Sequence, residues 1–163
     1  MLSLRLPVIL PLSLCIPLNG FIQIALVVND MDSALDAWCA LFNVPKPNVR
    51  ITKAVPNPSE TYRGQTACYG LKFAVIDCRD RGFAIELHEP DENPSTFREF
   101  LNKHGNGVHH IGFQVGEARD VVIEELDGLG YLMRTIGMYP GGSWTIVDSE
   151  DSLGVNLNIK PHP

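Results

Sequence analysis

Two stretches of this chain alternate apolar and polar residues with a period of two, and each is followed by an apolar stripe at three-to-four spacing. Residues 21–30, FIQIALVVND, place Ile22, Ile24, Leu26 and Val28 on one face of a strand and Gln23, Ala25 and Val27 on the other. Asn29 and Asp30 stop that strand and are good helix N-caps. Ala34, Leu35, Trp38, Leu41 and Phe42 then form the buried stripe of a helix over about 31–42, ended by Asn43 and Pro45. The second stretch, GNGVHHIGFQV at 105–115, puts His109, Ile111, Phe113 and Val115 on one face and His110, Gly112 and Gln114 on the other. A helix over 117–129 follows, striped by Val121, Val122, Leu126 and Leu129.

The intervening patterns complete the plan. Prolines 45, 47, 56 and 58 bracket a short strand at 49–55, and a polar loop runs on to Glu60. QTACYGLKFAVID and GFAIELHEP are strands joined by the charged turn at 78–82. In the latter, Phe83, Ile85 and Leu87 oppose Ala84, Glu86 and His88. A short helix beginning at Ser95, with Phe97, Phe100 and Leu101 buried and Gly105 as its stop, links two halves. The last strand, LGVNLNI, sets Leu153, Val155, Leu157 and Ile159 against Gly154, Asn156 and Asn158. Setting Gln23 over His110, a shift of 87, aligns QIALVVND with HIGFQVGE and repeats the element order. The expected fold is therefore an α+β domain over 21–161, made of two βαβββ modules, 21–90 and 109–160.

Composition narrows the function classes. With 163 residues, 45% hydrophobic and 20% charged, the chain has ample material for one core. A formal net charge of -6 argues against a nucleic-acid surface or an anionic-membrane patch. Cys15, Cys39, Cys68 and Cys78 form no CxxC pair or zinc-type spacing and read as reduced thiols of a cytoplasmic protein. Residues 1–20 form an apolar extension with Arg5 as its one charge. Pro7, Pro11 and Pro17 break it too often for a membrane span, and no A-x-A-like cleavage site follows; export is the alternative reading.

Four strand positions fall on the faces that lack large apolar side chains: Gln23, Glu86, His110 and Asn158, two from each module. Imidazole nitrogen and carboxylate or amide oxygen are ligand types for a divalent metal. The plainer reading is a curved sheet whose inner face is wet. On these residues the chain resembles the vicinal oxygen chelate superfamily, the glyoxalase, bleomycin-resistance and extradiol dioxygenase group, over about 21–161. IELHEPDENPSTFREFLNKHGNGVHHIGFQV is similar to the methylmalonyl-CoA epimerase branch, and YPGGSWTIVDSEDSLGVNLNI resembles the closing strands of glyoxalase-like relatives.

The resemblance implies a cupped mixed sheet with helices on its outer face, around a divalent metal whose ligands fall on Gln23, Glu86, His110 and Asn158. Asn158 stands where the family usually has a glutamate, so the ion would be weakly held and a usual proton carrier is missing. The implied activity is that of a metal-dependent isomerase, epimerase or lyase forming an enolate from a small carbonyl compound. Glu86 and His88 are its candidate proton carriers, with Glu60, Tyr139 and His109 as further ones. Tyr139 and Trp144, in MYPGGSW, are candidates for the wall of a substrate pocket. A metal-poor small-molecule binding protein of the resistance type is the alternative from another class. A lactoylglutathione lyase fits less well, because Val27 stands where its arginine would. A homodimer is also implied, with no nucleic-acid or membrane partner.

Overall fold

The computed structural model describes residues 16–162, so the apolar extension lies outside the described residues except for its last five. The first strand, β1 (Phe21–Val27), leads into α1 (Met31–Phe42). That helix has the expected bounds, with Asp30 accepting from the Ser33 backbone N–H at 2.9 Å and left-handed Asn43 ending it. Three short or polar strands follow: β2 (Arg50–Thr52), β3 (Asn57–Tyr62) and β4 (Gln65–Ala67). The antiparallel pair β5 (Leu71–Cys78) and β6 (Phe83–Pro90) closes the first half. After α2 (Thr96–His104) come β7 (Gly107–Gln114), α3 (Arg119–Gly128), β8 (Met133–Tyr139) and β9 (Gly142–Val147). A single turn of helix, α4 (Glu150–Leu153), precedes β10 (Asn156–Lys160).

The ten strands of the described residues form one mixed sheet, ordered β2-β5-β6-β1-β7-β10-β9-β8-β3-β4. Its first eight positions are two like quartets. In each, the strand before the long helix pairs in parallel with the last strand of its half, β1 with β6 and β7 with β10. The quartets meet where β1 and β7 run antiparallel. Helix α1 covers one quartet through Met31, Leu35 and Cys39 packed on Val28, Ala74, Ile76, Ile85 and Leu87. Helix α3 covers the other through Val122 and Leu126 on Val147, Leu157 and Ile159. The linking helix α2 lies on the opposite, inner side, where Phe97 and Phe100 pack with Val27, Ala67 and Tyr69 and against Trp144.

The hairpin β3–β4 forces the sheet to curl. Thr52 ends β2 at one edge, and Asn57 opens β3 near the other. Five extended residues reach at most about 18 Å, whereas eight strand spacings in a flat sheet measure about 38 Å. The edges must therefore approach each other, and the inner face becomes a cup. The sequence pattern expected a loop up to Glu60. The polar strand forms there because β8 supplies its partner, Glu60 to Tyr62 facing Gly137 to Thr135. Pro58 falls outside the paired positions, so its missing N–H breaks no ladder bond. Other bounds differ from expectation as well: the strand expected at 49–55 spans Arg50–Thr52, and the helix expected at 117–129 runs from Arg119 to Gly128. The stretch 65–77 divides at Cys68 to Gly70, where Asp91 accepts from the Gly70 N–H at 2.7 Å. The last strand starts at Asn156, because 150–153 is helical and Gly154 turns the chain at φ 76.

Candidate active site

The strand order β6-β1-β7-β10 sets Glu86, Gln23, His110 and Asn158 on four consecutive strands. All four point inward and meet. The Gln23 Nε2 lies 2.9 Å from the His110 Nε2 and donates to the Glu86 Oε2 at 3.1 Å. The Asn158 Nδ2 lies 3.3 Å from the same histidine nitrogen. Gly112 makes room for this packing: a Cβ there would sit 2.2 Å from the Gln23 Cγ. Gln23, His110 and Asn158 are buried, and the Glu86 side chain is 13% exposed.

A fifth residue belongs to the cluster and escaped the sequence pattern. Lys160, two positions after Asn158 on β10, donates its Nζ to the Gln23 Oε1 at 2.6 Å and lies 3.7 Å from the Glu86 Oε1. Extending the alternation of β10 by one more step would have found it. Lys160 also decides which atom Gln23 offers. An ammonium only donates, so the amide oxygen faces Lys160 and the NH2 faces the centre. Asn158 is fixed in the same sense, because its Oδ1 accepts from the Thr145 backbone N–H at 3.1 Å.

These orientations settle the histidine tautomers. Two amide N–H groups face the His110 Nε2, so that nitrogen carries a lone pair and the ring proton is on Nδ1. The His110 Nδ1–H meets the His109 Nδ1 at 2.8 Å, and the His109 Nε2–H then donates to the Thr96 Oγ1 at 2.9 Å. Simple strand parity would set the two histidines on opposite faces. The pairing shows otherwise: Ala25 faces His110 and Leu26 faces Val108, so His109 is the extra residue of a β-bulge. The bulge lets both rings meet. His88, the other proton-carrier candidate, is buried with its ring stacked on Phe97 at 4.7 Å and tilted against Phe73 at 5.0 Å. Its Nε2 is 3.9 Å from the Glu86 Oε2, beyond hydrogen-bond range.

Burial sets the charges. It raises the proton affinity of Glu86 above the usual carboxylate range, an effect the Lys160 ammonium partly offsets. It lowers His88 and His109 to about 3, and His110 well below its ordinary value, with the neighbouring imidazoles adding to the effect on His109 and His110. The three rings are therefore neutral near pH 7.

A large cavity among the described residues lies beside this cluster and does not include it. It measures about 660 Å³ and is lined by Tyr139 and Trp144 with Phe73, Tyr69, Arg50 and Glu60 among others. Phe73 touches His88, and Trp144 reaches Phe97, so the aromatic residues around His88 border the cavity on the side of the cluster. Glu60 is on β3 rather than in a loop, hydrogen-bonded to the Tyr69 hydroxyl, and burial raises its carboxyl too.

As they stand, these groups do not fit a divalent ion. The one carboxylate already faces an ammonium, and both amides turn N–H groups to the centre while their oxygens are engaged elsewhere. Among the described residues, no group of three or more His, Cys, Asp and Glu side chains is arranged to hold a metal. No helix of the described residues is long and apolar enough to cross a membrane.

A family model described as the Glyoxalase/Bleomycin resistance protein/Dioxygenase superfamily matches residues 22–147. Among curated proteins, none matches the sequence. Solved structures with the same fold include methylmalonyl-CoA epimerase from Mycobacterium tuberculosis, 18% identical, with 88% of this chain and 89% of that one covered at a TM-score of 0.58. A variant of the Streptomyces coelicolor methylmalonyl-CoA epimerase in complex with 2-nitronate-propionyl-CoA is 18% identical, with coverage of 86% and 95% and a TM-score of 0.58. A hypothetical protein from Bacillus halodurans C-125 is 20% identical, with coverage of 86% and 91% and a TM-score of 0.54.

Proposed function

The chain belongs to the glyoxalase/bleomycin resistance protein/dioxygenase superfamily, and from that premise we propose that it is an isomerase of the epimerase type. It moves a proton on the carbon beside the carbonyl of a small acid or acyl thioester. The observation that carries this reading is the meeting of Glu86, Gln23, His110 and Asn158 at the junction of the two quartets, with Glu86 a buried carboxylate of raised proton affinity. Such a carboxylate sits closer to the working pH and exchanges protons with a carbon acid more readily than an exposed one.

In this reading Glu86 takes the α-proton, and the electron pair left on carbon moves to the carbonyl oxygen, where the donors of the cluster meet the growing charge. Return of a proton on the opposite face inverts the centre. Glu60, in the adjoining cavity, is the second carrier, and the aromatic wall of Tyr139 and Trp144 holds the body of the substrate. His88, neutral and packed between two phenylalanines, supports the position of Glu86. No step is assigned to a divalent ion, whose seat Lys160 and the two amide orientations obstruct.

Epimerases of the same fold carry acyl thioesters in their structures, so 2-substituted acyl-CoA compounds, methylmalonyl-CoA first, are the class to try. Incubation in D2O with mass-spectrometric readout tests the reading. The wild type is expected to exchange the α-hydrogen and invert the centre. Glu86→Gln should lower exchange by about 100-fold or more. Glu60→Gln should retain exchange while losing inversion. Absence of exchange over a broad set of 2-substituted carbonyl compounds, with ligand still binding in the cavity, would favour the resistance-type binding protein, which the aromatic lining of that cavity also suits.

A further inference from the structure

We propose that the ammonium of Lys160 takes the cation's place in this site, so that the chain meets charge on its ligand's oxygen with a side chain instead of a divalent ion. The catalytic half of this inference rests on the isomerase reading above. The placement rests on geometry alone.

The Lys160 Nζ donates to the Gln23 Oε1 at 2.6 Å and stands 3.7 Å from the Glu86 Oε1, with 14% of its side chain exposed. It thus lies among the groups that would otherwise surround a metal. Each oxygen such an ion needs is engaged. The Gln23 oxygen holds the ammonium, the Asn158 oxygen holds the Thr145 N–H, and the Glu86 carboxylate balances the lysine charge. With one carboxylate in the cluster, a single positive charge neutralises it, and a doubly charged ion beside a fixed ammonium would be repelled. Asn158 adds no charge to change that balance.

The ammonium is also equipped to act. It has three donors; one serves Gln23, and with the Glu86 Oε1 3.7 Å away the others are open to a ligand oxygen. Period two along β10 places Lys160 beyond Asn158 as His88 lies beyond Glu86 on β6. The two modules therefore supply different groups at like positions, a stacked neutral imidazole in one and an ammonium in the other. In the enolate reaction the hydrogen bonds from the lysine N–H groups to the oxygen shorten as it gains charge, and no proton need leave the nitrogen.

The test is a titration of the full-length, chelator-treated protein with Mn2+ by calorimetry, alongside elemental analysis of the protein as purified. The wild type should hold no stoichiometric divalent ion and show no saturable binding up to about millimolar Mn2+. Lys160→Met frees Gln23 to turn its oxygen inward and leaves Glu86 unpaired, so it should bind Mn2+ at least about tenfold more tightly than the wild type. Lys160→Arg keeps the charge and should behave as the wild type. Lys160→Gln replaces the methionine variant should that one not fold, with the same expectation. A stoichiometric, chelator-resistant ion in the wild type, or identical titrations for the wild type and the neutral variants, would overturn the proposal. Where exchange is found, it should survive EDTA and fall by about 100-fold in Lys160→Met. Failure of the isomerase reading alone would show as no exchange with any substrate while the titrations still separate lysine from methionine.

Discussion

The bulge in β7 turns both histidines to one side, and at the scale of single residues it explains what sequence could and could not reveal. Parity along β1, β6, β7 and β10 placed Gln23, Glu86, His110 and Asn158 on one face, because a period of two survives small errors in strand bounds. It misplaced the His109 ring, since an inserted residue is invisible to a pattern that assumes continuous pairing. Nor could it tell which end of each amide faces the centre, which depends on Lys160 and on the Thr145 backbone. His109 is fully buried between Thr96, Phe97, Phe100 and His110. His109→Ala removes a ring, opens a void and leaves the His110 Nδ1–H without an acceptor. It should cost about 2–4 kcal/mol of stability. Urea denaturation measures this, and a loss below about 1 kcal/mol would mean the bulge holds without the ring.

Among the elements, the bounds of α1 were legible because its cap and its stop agree, whereas its stripe was legible only in part: Leu35 is buried as expected, but Leu41 and Phe42 are exposed and Met31 and Cys39 are buried in their stead. Strand β3 was not, being polar and interrupted by Pro58; only its partner β8 makes it a strand. Yet β3 and β8 build the cavity wall. Gly137, on β8, faces Glu60 on one side and Trp144 on the other, and a Cβ there would fall 2.1 Å from the Trp144 Nε1. Gly137→Ala therefore has to push the indole out of its place. The expected cost is about 1–3 kcal/mol, with weaker ligand binding in the cavity. Tryptophan emission reports the shift, since the second tryptophan, Trp38, sits on α1 stacked on Phe42. Emission and binding like those of the wild type would show that Trp144 does not shape the cavity.

For the molecule as a whole, the repeat made the two quartets legible, whereas closure of the cup was hidden in the four-residue link between strands near opposite edges. Closure buries three histidines without an acid hydrogen-bonded to any of them, and this sets how stability responds to acid. His88 and His109 take up protons only near pH 3 when folded, and His110 is lowered as well, but all do so near 6.5 when unfolded. Below about pH 6.5 the unfolded chain thus binds more protons, and stability falls as pH falls, by about 1.4 kcal/mol per pH unit for each ring. Glu86 and Glu60 act in the opposite sense, since burial raises them and their folded forms take protons first. Their effect lies in the interval between their unfolded and folded values, while Glu99 and Asp91, lowered in the fold, reinforce the loss at lower pH. Unfolding free energy measured in urea should therefore drop steeply between pH 6.5 and 5, and the drop should be shallower by about one proton in His109→Ala. A flat profile over that interval would mean the buried rings gain charge within the fold, and the neutral tautomer chain from Thr96 through His109 to His110 would then be wrong.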